Sequence, residues 1–124
     1  MTYTEALSYL YAFANYEHLV RPYTDIKLDR MERLLELDGH PERHFPSILV
    51  AGTKGKGSTA AMLASIAKAA GQRTGFFSSP HLSTHRERYR LDGQPITGDA
   101  FASQIADIRE HILAGWDAAG IGNP

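Results

Sequence analysis

A glycine- and lysine-rich stretch at residues 52–59, Gly-Thr-Lys-Gly-Lys-Gly-Ser-Thr, constrains the fold more than any other part of this chain. It follows residues 48–51, a short apolar run with β-branched members that is typical of a buried strand. Beyond Ser58, apolar residues recur at helical spacing as far as Gly71, a residue type that suits a helix end. The pattern predicts a strand, a glycine-rich turn and a helix in direct succession.

This glycine-lysine loop (residues 52–59) has the chemistry of a nucleotide-phosphate site. Glycines have no Cβ, so their backbone amides can curl around phosphate oxygens, and the positive end of the following helix favours an anion. Lys56 adds a charge for the outer phosphates, and the Ser58 hydroxyl is placed to ligate a phosphate-bound Mg²⁺. The predicted phosphate-binding residues are Gly52, Thr53, Lys54, Gly55, Lys56, Gly57, Ser58 and Thr59.

The loop departs from the general motif G-x-x-x-x-G-K-[ST] at two positions. Val50 stands where the first glycine belongs, and Gly57 separates Lys56 from Ser58. The alternative interpretation is an ordinary glycine-rich turn with exposed lysines. A strand pattern before the loop and a helix pattern after it favour the phosphate site.

The rest of the chain has the pattern of an α/β protein. A Thr2–Glu5 capping box predicts a first helix, whose inward stripe is Ala6, Leu7, Leu10, Tyr11 and Ala14. We expect a second helix at 29–37, an inward face on the third helix formed by Met62, Leu63, Ile66, Ala67 and Ala70, and a strand at 74–77 parallel to that at 48–51. An Asp92-Gly93 hairpin turn and a Thr97-capped helix at 99–113 follow, the latter with Phe101, Ile105, Ile108 and Ile112 inward.

Bulk composition excludes several classes of function. Thirteen lysines and arginines against fourteen acidic residues leave a net charge of −1, so no electrostatic case exists for nucleic acid or an anionic membrane. No apolar run approaches the roughly 20 residues of a membrane span. The absence of cysteine excludes disulfides and thiolate chemistry and fits a cytoplasmic location. Composition therefore indicates a soluble domain of mixed α/β type.

Several segments together resemble one enzyme family. Residues 52–58 resemble the Mur ligase superfamily version of the phosphate loop, and with Ala51 in front they are similar to its folylpolyglutamate synthase and dihydrofolate synthase branch. Gly-Phe-Phe-Ser-Ser-Pro-His-Leu at 75–82 and the Arg-Glu-Arg segment at 86–96 resemble further motifs of that family, as does 26–31. The resemblance covers nearly the whole chain, most specifically residues 48–96.

The resemblance implies an ATP- and Mg²⁺-dependent ligase with a partial Mur-ligase-like, three-layer α/β fold around a parallel sheet. In this family ATP phosphorylates a carboxylate of folate or dihydropteroate, and the amine of L-glutamate attacks the acyl phosphate. Carried onto this chain, Lys56 steadies the transferred group, while Ser58 and Ser79 ligate Mg²⁺. A simpler interpretation of Ser79 is a turn hydroxyl before proline.

The resemblance also bears on the segment at 81–90, which would be the mobile loop beside the folate site. If this segment is extended, Arg86, Arg88 and Arg90 share one face, either as a solvated strand edge or against an anionic folate tail. His81 and His85 have a spacing that would suit zinc only on a helix, which Pro80 disfavours, so we predict no zinc site.

The family's enzymes are several times longer than 124 residues. We therefore expect residues 1–124 to be the N-terminal part of the ATP-binding central domain, without the C-terminal glutamate-ligase domain and inactive alone. An uncovered parallel sheet would favour self-association. The alternatives are another Mur-type ligase and a non-catalytic nucleotide-binding module.

Overall fold

A computed structural model describes residues 1–12 and 28–115 of the chain. It has two compact units, one formed by Met1–Ser47 with Ala102–Pro124 and the other by Ile48–Phe101. All the residues predicted to bind phosphate or magnesium belong to the second unit. None of the helices in the described part of the chain is long and apolar enough to cross a membrane.

The first unit begins with helix α1, Tyr3–Tyr11, and its predicted capping box is confirmed. The Thr2 amide donates to Glu5 Oε2 at 2.7 Å, and the Glu5 amide donates to Thr2 Oγ1 at 3.3 Å. These bonds satisfy amides that have no acceptor within the helix. Ala6 is fully buried, whereas Tyr11, expected inward, is exposed. The predicted inward position at Ala14 lies outside the described residues.

The described part of the first unit contains further helical segments, among them a 3₁₀ turn at Pro41–Arg43. Helix α2, Leu28–Leu37, confirms the predicted helix, and Gly39 ends it with φ of 73°. At the other end of the unit, the helical stretch Ile108–Leu113 has π-type turns. The Arg109 guanidinium carbon lies 5.9 Å from the centroid of the Tyr9 ring, so this stretch contacts α1.

The second unit contains helix α3, Lys56–Ala69, and a three-stranded sheet. Strands β1 (Gly75–Phe77), β2 (Tyr89–Leu91) and β3 (Gln94–Pro95) pair in that order, each antiparallel to its neighbour. The hairpin predicted at Asp92-Gly93 is confirmed, with φ of 49° and 84° at the two turn positions. Asp92 also joins this turn to the start of β1, since its Oδ1 accepts from the Thr74 amide at 2.8 Å.

The described residues do not show the predicted parallel sheet, since their strand pairs are antiparallel. Residues 48–51 form no strand, and Ile48 and Leu49 are 78% and 92% exposed. A strand forms only where its amides and carbonyls pair with a neighbour. The strand that was expected beside residues 48–51 is β1, which within the described residues pairs only with β2.

Helix α3 begins at Lys56, two residues before the predicted start at Ser58, and ends as predicted at Gly71, whose φ is 82°. Its predicted inward face is confirmed only at Ala67, which is half-buried. The other members of that face are exposed, namely Met62, Leu63, Ile66 and Ala70. The helix contacts β1, and a cleft of about 300 Å³ has Ala61, Ala64 and Phe76 in its lining. Exposed apolar side chains of this kind favour self-association. Self-association of this chain stays a prediction.

Helix α4, Gly98–Asp107, confirms the predicted Thr97 cap, because Thr97 Oγ1 accepts from the Ala100 amide at 3.1 Å. Phe101 and Ile112 are buried as expected, and Ile105 and Ile108 are half-buried. Phe101 contacts His85 and Tyr89, with ring centroids 5.7 Å and 6.0 Å away. These rings form the core on which the segment after β1 rests.

We expect Phe101→Ala to lower the free energy of unfolding by about 3–5 kcal/mol, because it removes a ring that is 97% buried and leaves a cavity beside His85 and Tyr89. Urea denaturation followed by circular dichroism measures the change. Leu82→Ala is the matched control, since Leu82 is 97% exposed and its truncation should change stability by no more than about 0.5 kcal/mol. Equal effects of the two substitutions would contradict this account of the core.

Candidate functional site

The glycine-lysine loop ends in the first turn of α3. Gly55 precedes the helix with φ of 76°, a left-handed conformation that favours glycine, and its carbonyl accepts from the Thr59 amide at 2.9 Å. The amides of Lys56, Gly57 and Ser58 belong to the first turn, where backbone N–H groups have no acceptor within the helix. Residues 51–59 are all exposed, so these amides face an accessible surface that suits an anion.

Two lysines give the loop its charge. Lys54 and Lys56 are exposed, and neither forms an ion pair within the described parts of the chain. The Lys56 stem folds back over the start of the loop, where its Cγ lies 3.8 Å from the position a Cβ would take at Gly52. Two cations beside exposed helix-terminal amides fit a polyphosphate.

Ser58 and Ser79, the predicted magnesium ligands, are both exposed. Ser79 follows β1, and its peptide bond to Pro80 is cis. Lys68, in the last turn of α3, lies beside Gly93, and the hairpin turn that contains Gly93 adjoins the start of β1. Helix α3 and strand β1 are also in contact.

Hydroxyl groups alone make a weak magnesium site. The described residues contain no group of three or more His, Cys, Asp or Glu side chains that could hold a metal. Mg²⁺ in nucleotide sites takes only one or two protein ligands together with phosphate oxygens and water. The exposed hydroxyls of Ser58 and Ser79 fit an ion carried by a nucleotide, and they do not fit a resident metal.

Glu87 organises the segment that follows Ser79, a role that was not inferred from the sequence. Its Oε2 accepts from the Leu82 amide at 3.1 Å, and its Oε1 accepts from the Ser83 and Thr84 amides at 3.1 Å and 2.9 Å. The Thr84 and Leu82 amides hold the pKa of Glu87 below its ordinary value of 4.5, against an opposing effect of desolvation. The spacing Thr84-x-x-Glu87 is that of a capping box and was the signal that could have revealed this contact.

The three arginines at 86, 88 and 90 do not share a face of an extended segment, so that prediction is wrong. His85–Arg88 forms a 3₁₀ turn, and only Arg90 lies in β2. All three are half-buried and donate within the protein, Arg86 to the Ile96 carbonyl at 3.3 Å, Arg88 to His81 Nδ1 at 2.9 Å and Arg90 to the Glu87 carbonyl at 3.3 Å.

His81 and His85 contact each other as rings. Their centroids lie 5.3 Å apart, and His85, 6% exposed, also packs on Tyr89 and Phe101. The Tyr89 hydroxyl lies 3.4 Å from His85 Nε2. His85 is thus a core residue, and the His81–Arg88 bond makes His81 Nδ1 an acceptor.

We expect the contribution of Glu87 to stability to depend on pH. Because its folded pKa lies below the ordinary 4.5, this carboxylate contributes stability that is fully present above pH 4.5 and is lost as the pH falls through the folded pKa. We expect Glu87→Gln to lower the thermal midpoint at pH 7 and to differ progressively less from the wild type below pH 4.5. Circular dichroism melts between pH 7 and 3 measure this, and a difference that does not change with pH would contradict it.

Relatives match most of this chain, although no protein-family model matches it. The dihydrofolate synthase/folylpolyglutamate synthase of Bacillus subtilis is 37% identical over 97 residues, which is 78% of this chain and 22% of that protein. The enzyme of the same name from Mycobacterium tuberculosis is 39% identical over 105 residues, 81% of this chain and 21% of its own. Human mitochondrial folylpolyglutamate synthase is 57% identical over 77 residues, 62% of this chain and 13% of its own.

Solved structures of folylpolyglutamate synthases are also similar to this chain. The apo form of Lactobacillus casei folylpolyglutamate synthase superposes with a TM-score of 0.86 at 29% identity, covering 100% of this chain and 29% of that one. The Thermotoga maritima folylpolyglutamate synthase gives 0.80 at 37% identity, covering 98% and 26%. The chain thus spans about a fifth of the length of the bacterial relatives that it matches. Over that part, the chain belongs to the folylpolyglutamate synthase and dihydrofolate synthase family.

Proposed function

We propose that this chain is the ATP-binding part of a ligase that adds L-glutamate to folate or dihydropteroate through an acyl phosphate. The observation that carries the proposal is the start of α3, where a left-handed Gly55 and the accessible first-turn amides stand beside Lys54 and Lys56. Phosphoryl transfer depends mainly on positioning and on charge neutralisation, which amides and lysines supply.

The backbone and the side chains of this site would make different contacts with Mg²⁺–ATP. The backbone amides of residues 52–59 hold the phosphates of ATP, and Lys56 neutralises charge on the transferred group. The Ser58 and Ser79 hydroxyls would hold the magnesium ion, whose chemistry is to neutralise the phosphate oxygens. Gly52 keeps the start of the loop free of a side chain beneath the Lys56 stem.

The names of the relatives favour this function over another Mur-type ligase. Two bacterial relatives are named dihydrofolate synthase/folylpolyglutamate synthase, and a solved complex that superposes with a TM-score of 0.86 contains AMPPCP and folate. Because both activities appear in the name of each bacterial relative, we do not assign this chain to folylpolyglutamate synthesis or dihydrofolate synthesis alone.

Charge and composition suit a reaction in the cytoplasm. A net charge of −1 and the absence of cysteine suit a cytoplasmic chain whose partners are small molecules and not nucleic acid or a membrane surface. We take residues 1–124 as the N-terminal part of the ATP-binding domain.

Lys56→Ala is expected to weaken Mg²⁺–ATP binding by roughly tenfold to a hundredfold, because a charge-assisted contact to phosphate is lost. Isothermal titration calorimetry measures the dissociation constant. Lys68→Ala is the matched control: Lys68 is a lysine of the same helix at its opposite end, beside Gly93, and its removal should leave binding within twofold or so. Equal losses in both variants would indicate nonspecific attraction and would contradict the loop assignment.

The isolated 124-residue chain is expected to bind Mg²⁺–ATP without catalysing the complete reaction, because it spans only 22% of the Bacillus subtilis relative. A coupled ADP-release assay with folate or dihydropteroate and L-glutamate tests this. Glutamate-dependent ADP release by the wild-type chain that is lost in Lys56→Ala would show that this part suffices for catalysis and would overturn the expectation.

A further inference from the structure

The segment after β1 is held at both ends by one short stretch of the chain, the 3₁₀ turn that contains Glu87 and Arg88. Upstream of Ser79, the Ser78 amide donates to the Arg88 carbonyl at 3.0 Å. Downstream, the Glu87 carboxylate accepts from the amides of residues 82, 83 and 84. Residues 79–84, the anchored segment, are therefore held at both ends by hydrogen bonds to Glu87 and Arg88.

Contacts inside the anchored segment strengthen this arrangement. His81 accepts from Arg88 Nε at 2.9 Å, and its ring packs against the buried ring of His85. Leu82, by contrast, is almost fully exposed, so its apolar side chain does not hold the segment. The conformation of residues 79–84 depends on hydrogen bonds more than on hydrophobic burial.

Among these groups the Glu87 carboxylate accepts the most hydrogen bonds, three from backbone amides. It uses both oxygens, one for Leu82 and the other for Ser83 and Thr84. A glutamine has one acceptor oxygen, and its NH₂ group would meet an amide N–H donor at the other position. A backbone segment ordered in advance loses less conformational entropy when a ligand binds to it.

We propose that Glu87 is a positioning residue that presents the Ser79 hydroxyl to the nucleotide-bound magnesium ion by fixing the anchored segment. This inference rests on the proposed function, since it takes Ser79 as a magnesium ligand. Both oxygens of Glu87 accept backbone amides, so Glu87 is not assigned as a ligand of the ion. Supporting residues that orient a ligand typically change metal affinity about tenfold to a hundredfold when they are replaced.

The first test is hydrogen exchange of the backbone. In Glu87→Gln the amides of Leu82, Ser83 and Thr84 should exchange at least about tenfold faster, while the amides of α3 keep the wild-type rate. Glu5→Gln is the matched control, because Glu5 accepts from a backbone amide in the capping box of α1. It should leave exchange at residues 82–84 unchanged. Wild-type exchange at these amides in Glu87→Gln would overturn the proposal.

The second test separates magnesium from ATP. In Glu87→Gln the Mg²⁺ concentration for half-maximal ATP binding should rise about tenfold, whereas ATP binding without Mg²⁺ stays at the wild-type level. Equal weakening with and without Mg²⁺ would contradict the positioning role. If the wild type binds no Mg²⁺–ATP, the proposed function fails and the positioning role fails with it. If the wild type binds and Glu87→Gln binds equally well, only the positioning role fails.

A double-mutant cycle with Ser79→Ala shows whether Glu87 acts through Ser79. Ser79→Ala alone should raise the Mg²⁺ requirement without changing exchange at residues 82–84. If Glu87 acts by positioning this hydroxyl, Glu87→Gln should add little to the Mg²⁺ requirement in the Ser79→Ala background. Fully additive losses would assign Glu87 a general structural role and contradict the proposal, and circular dichroism confirms that each variant folds.

Discussion

The exposed first turn of α3 is the constraint around which the candidate site is arranged. A helix start leaves backbone amides that no carbonyl within the helix can accept, and here Gly55 enters the helix without a side-chain cap. The capping box of α1 shows the alternative, in which Thr2 and Glu5 satisfy the equivalent groups. In α3 these amides face an open surface beside Lys54 and Lys56. A ligand with several anionic oxygens suits such a surface, and this physical need supports the assignment to ATP.

The second part of the site depends on a different kind of support. The segment after β1 is shaped by hydrogen bonds from the turn containing Glu87 and Arg88, and this turn rests on the rings of His85, Tyr89 and Phe101. The Arg-Glu-Arg motif therefore supports the fold in this chain. Its charged groups bind backbone and His81, so their presence in a site does not by itself indicate contact with a substrate.

Local sequence signals predicted local structure well. The Thr2–Glu5 capping box, the Asp92-Gly93 turn and the Thr97 cap were all confirmed, because each depends on side chains that bond to neighbouring backbone. The described residues do not show the predicted parallel sheet, and sequence patterns could not decide this because strand pairing depends on residues distant in the chain. Periodicity located α3 correctly but assigned its protected face only in part, because Ala64 and Ala67 are half-buried whereas Met62 and Ile66 are exposed.

The sequence by itself determined the family, the order of the local elements and the chemical character of the glycine-lysine loop, since these depend on residue type and short spacing. Only the tertiary structure decided that β1 pairs with β2, that Arg88 bonds to His81 and that Glu87, beyond its capping-box contact with Thr84, also accepts the amides of Leu82 and Ser83. These contacts depend on how the chain turns after β1. Hydrogen-bond geometry set by that turn, and not composition, places the groups around Ser79.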